Sequence, residues 1–431
     1  MKLAVIGAGI IGVTTAYELA ADGHEVTVFE RRGSVAEETS FANAGVIAPG
    51  YVTPWAAPGM PGKVIRQLLA RHAPVRLARP MAPGQLRWMW RWWRACGSSS
   101  FLANRSRMHR LARYSQQRLK TLTHDLRLDY EQASGYTVLL RTPQELTLAR
   151  PGLKLLAELG ATFQLIDGQR ARALEPGLNP HTPLHAAIHL PHDGVGNCRQ
   201  FAQQLRAEAQ RLQVEFRFDQ QVLALQAGAR PSLRCRAGGS DNGVQTLAFD
   251  AIVVCAALGA AELLKPLGCR LPMAPVHGYS VTAPLRVLEG FPHLGPKSAV
   301  MDEAHKVAIS RLGQRVRVAG SAELGGRLDR SNEAAVQTLY KVLDDWFPGC
   351  AQLAQAQHWK GARPMLPDGP PVLGRSPAEG IWLNLGHGSS GWALSCGSAR
   401  VLADLIARRT PEIDPDGLGY ERLLQGQGRT R

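Results

Sequence analysis

The 431-residue chain lacks the features that mark several classes of protein. No apolar run approaches the roughly 20 residues needed to span a bilayer, and no small-residue cleavage site follows the apolar N-terminus, so no export signal is predicted. The 7 cysteines are scattered without a Cys-x-x-Cys pair, which supports neither a disulfide framework nor a zinc site, and no metal is expected. These absences favour a cytoplasmic globular protein, and the length favours two packed domains.

Acidic side chains are also missing between Thr39 and His124, a stretch that carries 14 of the 50 Lys and Arg residues. This segment accounts for nearly all of the net charge of +15. Such a positive field attracts lipid headgroups, nucleic acid or an acidic partner. Because the stretch contains no recognisable nucleic-acid-binding motif, we do not expect a nucleic-acid partner.

The first thirty residues follow the pattern of a dinucleotide-binding unit. An apolar strand at 3–7 leads into Gly7-Ala8-Gly9-Ile10-Ile11-Gly12, a helix at 13–21 and a second strand at 25–29. Gly7 permits the tight turn, Gly9 lets the backbone approach a pyrophosphate, and Gly12 lets the helix pack closely on the strand. The helix N-terminus offers free N–H groups to the phosphates. The acid at the second strand's tip, Glu30, can accept hydrogen bonds from a ribose. We therefore expect a bound dinucleotide.

The choice among dinucleotides depends on the residues after the second strand. Arg31 and Arg32 are compatible with the 2′-phosphate of NADP, but Glu30 would repel that phosphate, so FAD or NAD is favoured. Nicotinamide dehydrogenases usually continue with further strand–helix units. Here a small polar loop at 39–45 follows instead, as an extended flavin would need. FAD is the preferred ligand.

Further strands are predicted along the chain from their apolar and β-branched residues. A helix at 199–210 precedes a predicted strand pair at 214–218 and 222–225, and a buried strand at 251–255 runs into Gly259. An antiparallel sheet in a second domain is predicted from the segments at 136–141, 276–282, 306–311 and 315–320.

A second Gly-x-Gly-x-x-Gly match, at 386–391, follows a predicted strand at 381–385 and precedes a helix at about 392–408. No second strand returns an acid to a ribose there, so a second nucleotide site is not expected. The helix N-terminus still offers positive dipole to the pyrimidine edge of a flavin. An ordinary helix start is the alternative interpretation.

Several segments together resemble the small subunit of bacterial D-amino acid dehydrogenases, within the wider group of D-amino acid, glycine and sarcosine oxidases. The segments are TSFANAG (39–45), PGYVTPWAAPG (49–59), HGYS (277–280), RPMLPDGPP (363–371), LNLGHG (383–388) and GW (391–392). The resemblance implies a two-domain α/β (α+β) fold. A Rossmann-type FAD-binding domain of the glutathione-reductase kind (1–50, 192–272 and 362–431) would be interleaved with an antiparallel-sheet substrate domain (51–191 and 273–361).

The resemblance also implies which residues contact a non-covalent FAD. The expected cofactor contacts are Gly7, Ala8, Gly9, Ile10, Ile11, Gly12, Glu30, Arg31, Ser40, Asn43, Ala44, Gly45, Val222, Gly259, Gly386, His387, Gly388, Ser389 and Ser390. Val222 would meet the adenine, and 386–390 would meet the flavin ring. The attachment cysteine of monomeric sarcosine oxidases would fall near Gly361, which cannot form that bond.

The resemblance places three residues at the substrate. Arg363 would bind its carboxylate through two parallel hydrogen bonds, although residue type alone favours a surface or interdomain ion pair. Tyr279 would bond the same carboxylate or cover the site, or else be a structural tyrosine. His277 stands where close relatives usually carry Lys, and Ser389-Ser390 stands where Thr-Leu is usual. These departures leave substrate range and electron acceptor open.

The implied activity is FAD-dependent oxidative deamination of D-amino acids to 2-oxo acids and ammonia, by hydride transfer to flavin N5. Electrons would pass to a quinone or another respiratory acceptor, at the inner face of the cytoplasmic membrane. The alternatives are a D-hydroxyproline (cyclic imino acid) dehydrogenase, an oxidase using O₂, and a flavin-binding subunit of a larger complex.

The basic segment, residues 63–120, contains an Arg- and Trp-rich stretch, LRWMWRWWR (86–94). At about 100° per residue, Arg87, Arg91 and Arg94 share one narrow face. Such a helix suits an anionic membrane surface. The alternative is that its tryptophans pack on the substrate domain.

Overall fold

The computed structural model describes residues 1–67, 72–238, 243–289 and 294–425. The helices are α1 (Ile10–Ala21), α2 (Met60–Gln67), α3 (Pro83–Ala95), α4 (Ser98–Asp125), α5 (Pro143–Glu158), α6 (Gly168–Leu174), α7 (Cys198–Arg211), α8 (Ala260–Leu264), α9 (Glu333–Trp346), α10 (Gly391–Ile406) and α11 (Glu421–Gln425). Short 3₁₀ turns lie at Ala257–Gly259, Lys265–Leu267, Leu353–Gln355 and Gly388–Ser390.

The strands are β1 (Lys2–Ile6), β2 (Glu25–Phe29), β3 (Val46–Ile47), β4 (Val75–Ala78), β5 (Ala133–Leu140), β6 (Gln164–Asp167), β7 (Ala186–Val195), β8 (Glu215–Arg217), β9 (Gln220–Gln226), β10 (Ser232–Ala237), β11 (Val244–Ala248), β12 (Ala251–Val254), β13 (Ala274–Pro284), β14 (Ala299–Asp302), β15 (Val307–Leu312), β16 (Arg315–Gly325), β17 (Gln357–Met365), β18 (Val372–Arg375) and β19 (Ile381–Leu385). They form three sheets among the described residues.

The 6-stranded sheet has the order β18-β19-β12-β1-β2-β8. Its strands are parallel except for β18, which runs antiparallel to β19. The central strands are apolar on both faces because helices α1, α7 and α10 cover one side, and side chains of α8 and the three-stranded sheet β11-β10-β9 cover the other. This arrangement confirms the predicted Rossmann-type sheet.

The 10-stranded sheet follows the order β17-β13-β16-β15-β14-β5-β7-β3, with β4 and β6 beside it. Its pairs are antiparallel, as predicted, except for β14 with β5 and β16 with β4. Helix α9 packs its apolar stripe, Leu339, Val342 and Trp346, on one face. The two large sheets confirm the predicted mixed α/β architecture.

Most predicted elements are found with their ends shifted by a few residues, and two findings bear on the predicted organisation. The predicted strand pair is wrong: β8 pairs with β2 and β9 pairs with β10, so the two strands belong to different sheets. Strands β7 and β17 run across the boundaries predicted at 191/192 and 361/362. The exact domain limits remain a prediction.

Candidate active site

The residues predicted to hold the dinucleotide gather at one edge of the 6-stranded sheet. Gly7 follows β1, Glu30 follows β2, the Ala257–Gly259 turn follows β12, and Gly386 follows β19. Since these four strands are parallel neighbours, the residues after them meet at the same edge. In open α/β sheets the ligand crevice lies outside this carboxyl edge.

The glycine turn at that edge leaves room for a phosphate. Gly7 has a φ of +100°, and a Cβ on Gly12 would lie 1.8 Å from the Gly7 carbonyl oxygen, so both positions require glycine. A Cβ on Gly9 would meet only Ser40 Oγ, at 3.5 Å. Helix α1 begins there without a side-chain cap, and Ile10 N–H donates to Ser40 Oγ at 3.1 Å. A helix start whose N-cap residue, Gly9, carries no capping side chain fits a pyrophosphate.

Glu30 stands beside this turn, and its two arginine neighbours are paired elsewhere. Its carboxylate accepts hydrogen bonds from Ala8 N–H at 2.6 Å and Arg32 N–H at 2.9 Å, while burial raises its pKa. Both Arg31 and Arg32 form ion pairs with Glu38. The Glu38 carboxylate offsets one of these two positive charges, and the Glu30 carboxylate beside the turn is the feature that disfavours a 2′-phosphate. The contact of Arg31 with the cofactor remains a prediction.

Residues 39–45 lie between the two large sheets and are held by the substrate-side strands. Ser280 Oγ donates to Ala42 O at 2.8 Å, Arg317 Nη1 to Asn43 O at 3.0 Å, and Ser310 Oγ to Ala44 O at 2.7 Å. Three consecutive carbonyls are therefore fixed by three neighbouring strands. The segment is anchored as a cofactor-binding loop needs to be.

The remaining predicted cofactor residues occupy the same edge. Val222 lies on β9, whose first amide donates to Glu30 O at 2.8 Å. Gly386 and Gly388 have positive φ, and Ser390 precedes α10 without a side-chain cap bond. His387 is buried, its Nε2 lies 2.9 Å from Ser398 Oγ, and burial lowers its pKa to about 3. His387 is therefore neutral, and its side chain has a structural role in contacting α10. Its backbone lies beside the start of α10.

Arg363, on β17, is a half-buried cation for which the described part of the chain offers no anionic partner. Burial lowers its pKa to about 10, yet the side chain keeps partly accessible surface. Nη1 donates to Ser321 O at 2.9 Å, and no carboxylate in the described parts of the chain forms an ion pair with it. The guanidinium crosses Gly278, where a Cβ would lie 2.2 Å from Nη2. Because a desolvated cation is stabilised by an opposite charge, this position favours binding of an external anion.

Tyr279 and His277 are not brought to Arg363. Val276 pairs with Arg363 in register, so strand alternation turns His277 and Tyr279 to the opposite face. There the Tyr279 hydroxyl donates to Glu323 at 3.1 Å, within the cluster that packs on α9. Burial, followed by the charge of Lys360, lowers the pKa of His277 and keeps it neutral. This geometry favours the structural interpretation of Tyr279.

Helix α3 covers the face that carries Arg363. Trp88 is buried against Val276 and Met365, and its Nε1 donates to Met365 O at 2.8 Å. On the outer side Trp90 and Trp93 are 50% and 61% exposed. The interpretation in which the tryptophans pack on the substrate domain therefore holds for Trp88, and the membrane interpretation remains a prediction. No helix among the described residues is long and apolar enough to cross a membrane.

Sequence reasoning missed Ser321 and Arg317. Ser321 lies at a β-bulge opposite Gly278, a position that no local pattern reveals. Arg317 is 5% exposed and bonds Thr282 and the Asn43 carbonyl. Its place in an alternating strand, RVRVAG, was the available signal, because a charge at an inward position of a strand is unusual.

Comparison with known proteins agrees with this geometry. The family described as FAD dependent oxidoreductase matches residues 2–405. The chain belongs to this family. It is 42% identical over 438 residues to D-amino acid dehydrogenase from Cereibacter sphaeroides, covering 100% of this chain and 97% of that protein. The D-amino acid dehydrogenase of Bradyrhizobium diazoefficiens is 40% identical, covering 99% and 100% of the two chains.

Solved structures of the same fold include glycine oxidase from Geobacillus kaustophilus, with a TM-score of 0.75, 21% identity and 97% of both chains covered. L-Proline dehydrogenase from P. horikoshii has a TM-score of 0.73 and 16% identity, with 99% and 98% covered. As a member of the family the protein is an FAD-dependent oxidoreductase. The uncapped glycine turn, Glu30 and the anchored loop at 39–45 fit that cofactor.

Proposed function

We propose that the protein oxidatively deaminates D-amino acids to 2-oxo acids and ammonia. The observation that carries the proposal is Arg363, a half-buried guanidinium with no carboxylate partner among the described residues, beneath α3 and beside the cofactor edge. The relatives named D-amino acid dehydrogenase match the whole chain, which supports the same substrate class. A D-amino acid supplies the carboxylate that Arg363 lacks.

Arg363 would position the substrate by its planar guanidinium. Two parallel N–H···O bonds fix both the place and the rotation of a carboxylate, which aims the Cα–H bond in one direction. Gly278 permits the guanidinium to lie across β13, and Ser321 O holds Nη1 in that plane. Bound FAD supplies the oxidant that takes the α-hydrogen as hydride. The 386–390 turn and the start of α10 would lie against it.

The surroundings of Arg363 would favour binding of a carboxylate. His277 lies on the opposite face of β13, and burial keeps His387 neutral, so neither histidine would take part in that binding. Helix α3 closes the Arg363 face from solvent with Trp88, which strengthens the Arg363–carboxylate attraction.

Anaerobic reduction of the holoenzyme tests the substrate class. We expect D-alanine to bleach the flavin absorbance within seconds and L-alanine to leave it unchanged. Bleaching by D-hydroxyproline alone would identify a cyclic imino acid dehydrogenase instead. Failure of every amino and imino acid would leave a flavin-binding subunit. In air, stoichiometric peroxide would identify an oxidase.

We propose further that the outer face of α3 docks on an anionic membrane, where a quinone accepts the electrons. Leu86, Trp90 and Trp93 form an exposed apolar stripe at helical spacing, 58%, 50% and 61% exposed. Arg87 and Arg94 lie beside it, and no described carboxylate pairs with them. By contrast Arg107, Arg110 and Arg118 of α4 bind Asp416, Asp414 and Glu18. Charge complementarity therefore points to α3 rather than to the whole basic segment.

Vesicle flotation tests this docking surface. The holoenzyme should float with phosphatidylglycerol vesicles at moderate salt, and the double variant Trp90→Gln, Trp93→Gln should lose most of that binding while keeping its FAD. Leu148→Gln, which changes an equally exposed side chain (68%) on α5, is the matched control. Equal flotation of the double variant and wild type would refute a role for α3.

A further inference from the structure

The backbone at Ser321 is strained. Ser321 adopts a φ of +58°, in the left-handed region that L residues other than glycine rarely occupy. The residue lies at the bulge where β16 faces Gly278, since the register shifts between His277 and Tyr279. Strain of this kind persists where the surrounding structure enforces it, and such residues concentrate at functional sites.

The hydroxyl of the same residue lacks a partner. Ser321 is 5% exposed, and its Oγ has no hydrogen-bond partner in the described structure. A buried hydroxyl without a hydrogen bond is costly, and proteins usually avoid it. By contrast, buried Ser298, just before β14, is bonded: its Oγ donates to Gly135 O at 2.5 Å.

Arg363 connects the strained backbone and the unpartnered hydroxyl. Its Nη1 donates to the main-chain oxygen of Ser321 at 2.9 Å, so the guanidinium lies against the backbone of the residue that carries this hydroxyl. Among the described residues, Arg363 has a positive charge without an anionic partner, and Ser321 has an O–H group without an acceptor. A carboxylate satisfies both, because it is an acceptor with a negative charge.

We propose that Ser321 is a second donor to the substrate carboxylate, its hydroxyl bonding the same group that Arg363 grips. This inference rests on the proposed function, since it assigns a partner to the substrate that Arg363 is proposed to bind. A bulge breaks the regular alternation of side chains along a strand, so Ser321 is not bound to the face opposite Gly278 and Arg363.

The test measures binding of a carboxylate that cannot react. Propionate lacks an amine, so its binding to the FAD holoenzyme is followed through the flavin absorption spectrum without turnover. Ser321→Ala should weaken propionate binding by about tenfold or more, as expected for a hydrogen bond to a charged group. The KM for D-alanine should rise by a similar factor with kcat nearly unchanged.

Matched variants separate the hydroxyl from the backbone strain. Ser321→Gly also removes the hydroxyl but accepts the left-handed φ without strain, so it should lose affinity as Ser321→Ala does and keeps the test valid if the alanine variant folds poorly. Ser298→Ala, a buried serine whose hydroxyl is bonded, should leave propionate affinity unchanged.

Two negative outcomes are distinguishable. If wild type binds propionate and both Ser321 variants bind it within about twofold of wild type, the role of Ser321 is refuted while the proposed function stands. If wild type binds neither propionate nor any other small carboxylate, and no amino acid reduces the flavin, the proposed function itself fails.

Discussion

Replacing Arg363 by Met should separate a substrate-binding arginine from a structural one. Burial lowers the Arg363 pKa from 12.5 to about 10. At about 1.4 kcal/mol per pKa unit, keeping this guanidinium charged costs the unliganded protein about 3 kcal/mol. Met fills a similar volume without charge. Its substitution leaves the Ser321 carbonyl without one donor, which costs about 1–3 kcal/mol. The two effects nearly cancel.

We therefore expect the unliganded Arg363→Met holoenzyme to unfold within about 1 kcal/mol of wild type. Carboxylate binding should fall by about 2–5 kcal/mol, or roughly 30-fold to several thousand-fold in Kd. Denaturant unfolding with and without saturating propionate measures both quantities. Ligand at about a hundredfold excess over Kd should add about 2.7 kcal/mol to wild type and almost nothing to the variant.

A structural arginine would give the reverse result. An ion pair or packing role predicts an unliganded variant that is destabilised by about 3–5 kcal/mol, with propionate affinity unchanged in the fraction that remains folded. That outcome would refute the assignment of Arg363 to the substrate, whatever the activity of the variant.

Two further substitutions test the Arg363 site and a buried carboxyl on β7. Gly278→Ala places a Cβ 2.2 Å from Arg363 Nη2, so the guanidinium must move. The KM for D-alanine should then rise by about tenfold or more with FAD content unchanged. The control is Gly84→Ala, whose added Cβ would have no atom within 4 Å and should leave KM unchanged. Burial raises the pKa of Asp193 to about 7, so its folded form favours the proton and stability falls as pH rises from about 4 to 7. Asp193→Asn should remove that loss, so above about pH 8 its free energy of unfolding in urea should exceed that of wild type by about 2–4 kcal/mol. Equal pH dependence of stability in the two proteins would contradict the raised pKa of Asp193.

The cofactor edge was predictable because its signals are local. The turn from Gly7 to Gly12, the following strand and Glu30 fall within thirty residues, and each has one physical reason to be there. The segment at 39–45 was predicted from its small polar composition and from the family resemblance, but its anchoring by Ser280, Ser310 and Arg317 depends on strands more than two hundred residues away.

The substrate face was harder to predict because it depends on register. His277, Gly278 and Tyr279 follow one another, and only the pairing of Val276 with Arg363 decides which of them shares the arginine's face. The sequence HGYS does not reveal whether Gly278 or Tyr279 lies on the same face of the sheet as Arg363. The wrong pairing of β8 with β9 has a similar cause: the short Phe218-Asp219 connection looks like a hairpin turn, whereas β8 extends the sheet beside β2.

The parallel pairing of β1 with β12 and of β12 with β19 has a consequence for biosynthesis. Leu3 pairs with Ala251, and Ile252 pairs with Ile381. The nucleotide edge is therefore incomplete until nearly the whole chain has left the ribosome, and contacts so distant in sequence slow folding. Cofactor loading must be one of the last events in maturation. A nascent chain stalled before residue 381 should emerge colourless and sensitive to protease.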